Sequence, residues 1–170
     1  MPGLSTYTTR FGSLAEYEKG EIDIIDDDPK RYAFSNMFEV ASQAKPYEKV
    51  AVGKNRQYVL ETIRAEGTSE WRTAPHDEFA LVMDGEVEIR LRKLGAGDRG
   101  PTAPRGSNAL TGEPSGPSMG RVVARRGHMT LLPVGSAYQF HADTPAVILL
   151  QTQEGPDTVY RWEEIIQTVP

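Results

Sequence analysis

Apolar and polar residues alternate over several short segments of the chain, which is the pattern of β-strands with one buried face. Residues 86–92 (EVEIRLR) alternate strictly and place Val87, Ile89 and Leu91 on one face. The dipeptide Asp84-Gly85 comes just before them and favours a tight hairpin turn. This segment therefore predicts a half-buried strand that follows a hairpin.

Other segments extend the β pattern along the chain. Residues 57–66 (QYVLETIRAE) predict a strand with two distinct faces, and the continuously apolar residues 79–83 (FALVM) predict a strand covered on both faces. Further strands are predicted at residues 121–125, 129–132, 137–140 and 146–151, with turns at Gly127, residues 133–135 and Thr144-Pro145. Short strands at regular spacing indicate an all-β antiparallel barrel or jelly roll.

The 170 residues are expected to form one domain with two irregular parts. Residues 1–35 predict an N-terminal arm, with an acidic run at residues 26–28, and residues 36–170 predict the barrel. Residues 35–41 are expected to be a short strand or turn, and residues 160–167 a short helix or a last strand. Residues 94–120 hold seven glycines and four prolines, which predicts a long loop inserted into a hairpin.

Composition and charge exclude several classes of function. The net charge of −5 and the pI near 5.3 argue against a nucleic-acid-binding protein, which needs a basic face. No apolar run is long enough for a membrane helix, and we expect a cytoplasmic protein. The chain has no cysteine and three histidines, so it has few candidate metal ligands.

Two segments resemble the paired motifs of the cupin superfamily, G-x5-H-x-H-x3–4-E-x6-G and G-x5-P-x-G-x2-H-x3-N. Glu78 is followed after six residues by Gly85, and Gly127 is followed after five by Pro133-x-Gly135. The resemblance covers about residues 55–152. It implies a cupin-type double-stranded β-helix, a jelly-roll barrel, in this case with an N-terminal arm and a long Gly/Pro-rich loop.

The motif positions that bind metal in cupins are mostly substituted here. The first two histidines would fall within residues 71–75 (WRTAP), which contain none, and the third falls on Tyr138. Only Glu78 remains, and one carboxylate with a phenol does not make an iron(II) site. We therefore expect no metal on this chain. The alternative is a shifted site with His76 and Glu78, which lie two residues apart and would share a strand face.

A narrower resemblance rests on residues 47–55 (YEKVAVGKN), 64–71 (RAEGTSEW) and 76–86 (HDEFALVMDGE). They are similar to the small subunit of two-component iron(II)-dependent hydroquinone 1,2-dioxygenases, which act in aerobic degradation of 4-nitrophenol and 4-hydroxyacetophenone. The resemblance implies a metal-free cupin subunit that is inactive alone. Its partner would be a large cupin-type catalytic subunit carrying Fe(II), in an α2β2 heterotetramer.

The same resemblance implies a role for Trp71 at the barrel rim. We expect its indole to contribute to the partner's site, where it would stack on the aromatic diol at the interface. The alternative is a tryptophan that only fills the end of the core. His76 is a weaker candidate for substrate binding, and a hydrogen-bonded strand residue is the alternative.

Two functions of other classes stay open. One is a stand-alone, metal-dependent cupin dioxygenase that uses His76 and Glu78, which predicts stoichiometric bound metal. The other is a metal-free cupin that binds a small organic ligand, which predicts a stable homodimer and binding without a partner.

Overall fold

The computed structural model describes residues 12–17 and 36–161. These form one helix and ten strands, mostly antiparallel. The helix is α1 (Met37–Gln43), and the strands are β1 (Lys49–Asn55), β2 (Tyr58–Thr68), β3 (Arg72–Thr73), β4 (Glu78–Asp84), β5 (Glu86–Lys93), β6 (Asn108–Ala109), β7 (Ser118–Arg125), β8 (Met129–Leu132), β9 (Ser136–Gln153) and β10 (Thr158–Val159). The predicted strand segments thus fold as strands, in an all-β sheet that curls around one core.

Strand β9 holds the two halves of the sheet together. Its N-terminal part lies between β3 and β5, and its C-terminal part lies between β2 and β4. Beyond these, β1 pairs with β2, β8 with β4, and β7 with β5. The apolar side chains of both halves, among them Ile63, Val82, Ile89 and Phe140, meet in one buried cluster. This curled sheet agrees with the expected jelly roll.

The turn expected at Thr144-Pro145 does not divide β9 into two strands. The backbone stays extended, but the register with β2 shifts between the pairs Ala65–Ala146 and Gly67–Ala142. Proline cannot donate a ladder hydrogen bond, so it is tolerated at such an irregularity. The interruption was therefore predicted at the right place, but it is a bulge and not a turn.

The short strand or turn expected at residues 35–41 is wrong, because this segment belongs to α1. The Asn36 side chain caps the helix and accepts hydrogen bonds from the backbone N–H of Phe38 and Glu39, at 3.1 and 3.4 Å. Val40 and Ala44 pack on Val50 and Val52 of β1. The helix covers the outer side of β1, which would otherwise be exposed.

The expected Gly/Pro-rich loop at residues 94–120 is largely irregular, but it contains β6 and the start of β7. Asp98 holds it at one point, where its carboxylate accepts hydrogen bonds from the backbone N–H of Gly95 and Ser115. β7 returns antiparallel to β5, so the loop is an insertion in a hairpin, as predicted.

The two ends of the chain lie mostly outside the described residues. These include the acidic run at residues 26–28 and most of the segment 160–167, for which a helix or strand was expected. Of the arm, residues 12–17 are described, and the Leu14 backbone N–H donates to the Asp84 carboxylate at 2.9 Å. The described helix is far too short to span a membrane.

Two outer surfaces of the barrel differ in chemistry. We call the outward side of β8, β4, β9 and β2 the apolar outer face. In register across these strands lie Leu131, Phe79, Gln151 and Leu60 in one row and Met129, Leu81 and Leu149 in the next. Phe79 is 37% exposed and Met129 65% exposed. The expectation that residues 79–83 are covered on both faces is therefore wrong for this chain, since only Ala80 and Val82 point into the core.

We call the outward side of β5 and β7 the charged outer face. Glu86 pairs with Arg125 at 2.6 Å, and Glu88 pairs with both Arg90 at 2.6 Å and Arg121 at 2.7 Å. The alternate residues of β5, Val87 and Ile89, are fully buried, as the alternation predicted.

Candidate functional site

The position that would hold a cupin metal contains a closed set of hydrogen bonds. Glu78 is fully buried on β4. One carboxylate oxygen accepts from the Tyr138 hydroxyl at 2.7 Å and the other from the Thr152 hydroxyl at 2.5 Å. Burial, and then the charge of Glu78, raise the pKa of Tyr138 well above its ordinary value, so the phenol stays a hydrogen-bond donor. The carboxylate is occupied by side chains of the chain itself.

The metal-site alternative with His76 and Glu78 is not assembled in this arrangement. His76 is half-buried, and its Nε2 accepts a hydrogen bond from the Gly106 backbone N–H at 3.2 Å. Its Nδ1 lies 3.0 Å from the Asp77 carbonyl oxygen. Within residues 12–17 and 36–161, no group of three or more His, Cys, Asp or Glu is placed to hold a metal ion. The residues present around Glu78 do not fit an iron site.

The other two histidines lie away from Glu78. His141 Nδ1 is 2.7 Å from the Thr68 hydroxyl, and its Nε2 is 3.0 Å from the Asp143 carboxylate. His128 is exposed at the turn before β8, and its Nδ1 accepts from the Arg125 backbone N–H at 3.0 Å.

A second buried carboxylate lies on β2, which β9 separates from β4, and sequence reasoning assigned this residue no role. Glu61 is fully buried, and its Oε2 lies 3.1 Å from Lys49 Nζ, whose side chain is 4% exposed. The Thr158 hydroxyl donates to its Oε1 at 2.6 Å. Burial raises the pKa of Glu61 above its ordinary value, whereas the Lys49 charge opposes this shift. The signal in the sequence was a glutamate and a lysine at inward positions of paired strands.

The charge of Lys49 is paired, but its N–H donors are not hydrogen-bonded within the described part of the chain. Its ammonium makes an ion pair with Glu61, yet within the described part of the chain it has no hydrogen-bond partner in good geometry. Such a pair is costly to bury, and removing either partner alone leaves an uncompensated charge.

A cavity of about 270 Å³ opens next to these groups. Its lining comprises Pro46, Tyr47, Lys49, Ile63, Thr68, Ser69, Glu70, Arg72, Tyr138, Phe140 and Leu150. Thr68, Ser69, Glu70 and Arg72 line its rim, and this stretch overlaps residues 71–75, in which the cupin motif would carry histidines. The interior walls come from the barrel core.

Arg72 is the main cation of this rim. Its Nε donates to the Ser107 hydroxyl at 2.5 Å, and its Nη2 donates to the Ser107 carbonyl oxygen at 2.9 Å and to the Asp157 carboxylate. Nη1 lies 4.0 Å from the Glu70 carboxylate, beyond hydrogen-bond distance. The Nε–Nη2 edge of the guanidinium is thus held by Ser107 and Asp157, whereas Nη1 is near the Glu70 carboxylate but not hydrogen-bonded to it.

Trp71 lies between Glu70 and Arg72 on the same rim. Its carbonyl oxygen accepts from the Leu110 backbone N–H at 2.8 Å, which ties the rim to the long loop. The residue is 9% exposed, so most of the indole packs inside this chain. A small part of it is left to meet a ligand or a neighbouring chain.

No family model matches the chain, and no curated protein matches it. Two crystal structures match over nearly its whole length. In hydroquinone 1,2-dioxygenase PnpCD with Cd2+ and 4-hydroxybenzonitrile, a chain is 50% identical, with a TM-score of 0.86 over 98% of this chain and 100% of that one. In hydroquinone 1,2-dioxygenase from Sphingomonas sp. TTNP3 with 4-hydroxybenzoate, a chain is 55% identical, with a TM-score of 0.87 over 95% and 98%.

A longer chain occurs in structures of the same two enzymes. In PnpCD with Fe3+, the match spans 84% of this chain but 40% of that chain, at 10% identity and a TM-score of 0.60. In the Sphingomonas enzyme with 4-nitrophenol, it spans 86% and 41%, at 15% identity and a TM-score of 0.59. These matches show a shared fold alone. Each enzyme therefore holds one chain type that this chain matches from end to end and a longer one that shares its fold.

Proposed function

The chain belongs to the hydroquinone 1,2-dioxygenase family, and we propose that it is the small, metal-free subunit of such an enzyme. The observation that carries the proposal is the end-to-end match, at 50–55% identity, to one of two chain types. The proposed reaction opens the ring of hydroquinone beside one hydroxyl and inserts both atoms of O2, giving 4-hydroxymuconic semialdehyde. The aerobic degradation of 4-nitrophenol is the proposed context.

We assign Fe(II) to the longer subunit and none to this chain. The set of bonds around Glu78 supports this assignment, because Tyr138 and Thr152 already occupy both carboxylate oxygens. His76 is engaged with the Gly106 backbone. The chain alone is then expected to be inactive, and its role is to support and partly cover the site of its partner in an α2β2 assembly.

The apolar outer face supports a large partner. It contains exposed leucine, phenylalanine and methionine on neighbouring strands, and the polar residues of its two rows are Gln151 and the buried Thr62. Contiguous apolar surface of this kind marks a protein interface. Since the related enzymes contain a longer chain of the same fold, we propose that this face meets the longer subunit.

The proposal is tested by co-expressing this chain with the longer chain of the Sphingomonas sp. TTNP3 enzyme. We expect a stable complex, O2 consumption with hydroquinone, and formation of the ring-opened product only when both chains are present. Activity of the longer chain that is unchanged by this chain would overturn the proposal.

The metal assignment has its own test. The chain is purified alone, refilled anaerobically with ferrous iron and desalted, and its iron content is measured. We expect iron far below stoichiometry. Near-stoichiometric iron that is lost in His76→Ala and Glu78→Gln would instead establish the stand-alone metal enzyme.

We also propose that Trp71 contributes to the site of the longer subunit. Trp71→Ala in the complex is expected to raise KM for hydroquinone or lower kcat, and Trp71→Phe is expected to recover part of the loss because it keeps an aromatic face. Size-exclusion chromatography must show an intact complex for both variants. Kinetics of Trp71→Ala equal to those of the wild type would remove this residue from the site.

A further inference from the structure

The cavity at the barrel rim has the size of a small-molecule site. Its volume of about 270 Å³ exceeds that of an apolar cavity of about 150 Å³ that accommodates benzene. It lies just below the range of about 300–1,000 Å³ that is usual for pockets of drug-sized molecules. A molecule with a single ring and one or two substituents fits this space.

One part of the inner wall of the cavity is apolar. Ile63, Phe140 and Leu150 belong to the barrel core and line it, and Pro46 adds a further apolar surface at the opening. These apolar side chains suit the face of a hydrocarbon ring, while the remaining lining residues are polar.

The hydroxyl groups of the walls are already used as donors. Tyr47 donates to the Gly67 carbonyl oxygen at 2.6 Å, and Tyr138 donates to Glu78 at 2.7 Å. Lys49 is held by its ion pair with Glu61. The interior cation is therefore neutralised by its ion pair, although its ammonium has no hydrogen-bond partner among the described residues.

The rim, in contrast, offers a cation. Nη2 of Arg72 is ion-paired with Asp157, whereas Nη1 makes only a long contact of 4.0 Å within the described part of the chain, to the carboxylate of Glu70, which is itself 74% exposed. Arg72 is 13% exposed and is fixed by Ser107 and Asp157, so its orientation is set before any ligand arrives. A fixed, partly buried guanidinium edge is suited to an acidic oxygen group.

From these observations we propose that the cavity binds a single aromatic ring bearing one acidic oxygen group, a carboxylate or a phenolic hydroxyl. The ring lies against Ile63, Phe140 and Leu150, and the oxygen group meets the Nη1 edge of Arg72. This binding uses residues of this chain alone, so it stands or falls independently of the proposed partner.

The test measures binding of 4-fluorobenzoate and 4-fluorophenol to the full chain by 19F NMR. The expected Kd is on the order of 1 mM. Thr68 is an exposed residue of the cavity lining, and Thr68→Trp is designed to close the opening without disturbing the core. The exposed Thr144 supplies the matched control, Thr144→Trp. We expect at least tenfold weaker binding in the first variant and no change in the second.

A charge variant separates the two ligand types. Arg72→Met is expected to weaken 4-fluorobenzoate at least fivefold, whereas Arg121→Met on the charged outer face leaves binding unchanged. Binding of the benzoate alone assigns a carboxylate, and binding of the phenol alone assigns a phenol. Circular dichroism verifies the fold of each variant. If the chain does not stay folded alone, probe binding is measured on its iron-free complex with the longer subunit. The difference in binding between the Thr68→Trp and Thr144→Trp complexes then reports the cavity.

Two results would overturn the inference. One is the absence of binding of either probe to folded wild-type chain at about 10 mM, ten times the expected Kd. The other is equal binding to Thr68→Trp and Thr144→Trp, which would place the ligand outside the cavity.

Discussion

The apolar outer face and the charged outer face are both formed by alternating strands, but they differ in what their outward residues contact. On β5 and β7, Glu86 and Glu88 have arginine partners within the same face. On β8 and β4, Met129, Leu131 and Phe79 lie next to one another and remain exposed in the described part of the chain. The glutamates of the first face are thus paired within the chain, although Val123 of β7 is exposed beside them. The second requires a further surface to remove its apolar area from water, about 25 cal/mol for each Å² covered.

The helix α1 shows how this chain treats an apolar outer surface that it covers itself. Val50 and Val52 lie on the outer side of β1, and they are buried because Val40 and Ala44 of the helix pack on them. Leu149, on β9, is partly buried at the border of this covered area. The apolar outer face continues from this border, but no described element of the chain covers it.

The largest expected effect is on the free energy of unfolding, and it concerns the buried ion pair of the interior that both faces enclose. Lys49→Met leaves the Glu61 carboxylate buried without its counter-charge, and we expect the free energy of unfolding to fall by about 3–5 kcal/mol. Urea unfolding followed by fluorescence and by circular dichroism measures this change. The double variant Lys49→Met/Glu61→Gln is the control and should recover most of the loss. A single variant as stable as the wild type would show that the pair does not hold β1 against β2.

The second prediction separates the two faces directly. Phe79→Glu places a charge on the apolar outer face, and we expect it to weaken association with the longer subunit at least 100-fold, about 2.7 kcal/mol. Val123→Glu places the same charge at an exposed position of β7, and we expect less than a threefold change. Affinity is measured by surface plasmon resonance. Equal losses in the two variants would contradict the assignment of the apolar outer face as the interface.

The third prediction concerns the interior near the charged outer face, where Tyr138 lies opposite Leu91 of β5. Tyr138→Phe removes one donor from the buried Glu78, and we expect the free energy of unfolding to fall by about 1–3 kcal/mol. Tyr58→Phe, at a tyrosine that is 52% exposed, is the matched control and should be nearly neutral. A neutral Tyr138→Phe would mean that the Glu78 carboxyl is satisfied by other groups.

The smallest effect is expected on the charged outer face itself. The hydrogen bond from Arg90 lowers the pKa of Glu88 below its ordinary value. Its contribution to stability is therefore present above the unfolded pKa and is lost as the pH falls through the folded pKa. Glu88→Gln should shift the urea midpoint slightly at pH 7, less than Tyr138→Phe does, and not at all in 1 M NaCl or at pH 2. A shift that persists in high salt would show that Glu88 acts through packing and not through charge.

Sequence reasoning placed most strands because burial on one face leaves a period of two. The interior residues Val87 and Ile89 follow directly from that period. It failed at Phe79, since a continuous apolar run does not reveal whether its outer side is covered by the same chain or by another. It also missed α1, where the capping side chain of Asn36 outweighs the β pattern of the residues that follow.

The candidate site was predicted only in part. The departure from the cupin ligand set could be read from the residues at 71–75 and at Tyr138. The hydrogen bonds to the Glu78 carboxylate could not be predicted, because Thr152 lies far from Glu78 in sequence and belongs to no motif. The Lys49–Glu61 pair likewise depends on the register between β1 and β2, which alternation alone does not fix.

The position of β9 at the centre of the sheet has a consequence for the order in which the protein can form. β9 pairs with β2 and β4 along one half and with β3 and β5 along the other, yet it is translated after all four. Pairing strands so distant in sequence requires closing long loops first, which slows folding. During synthesis on the ribosome, β2 and β4 emerge with unpaired edges and wait for residues 136–153. The apolar outer face, which spans both of them and β9, is assembled only after residues 136–153 have emerged.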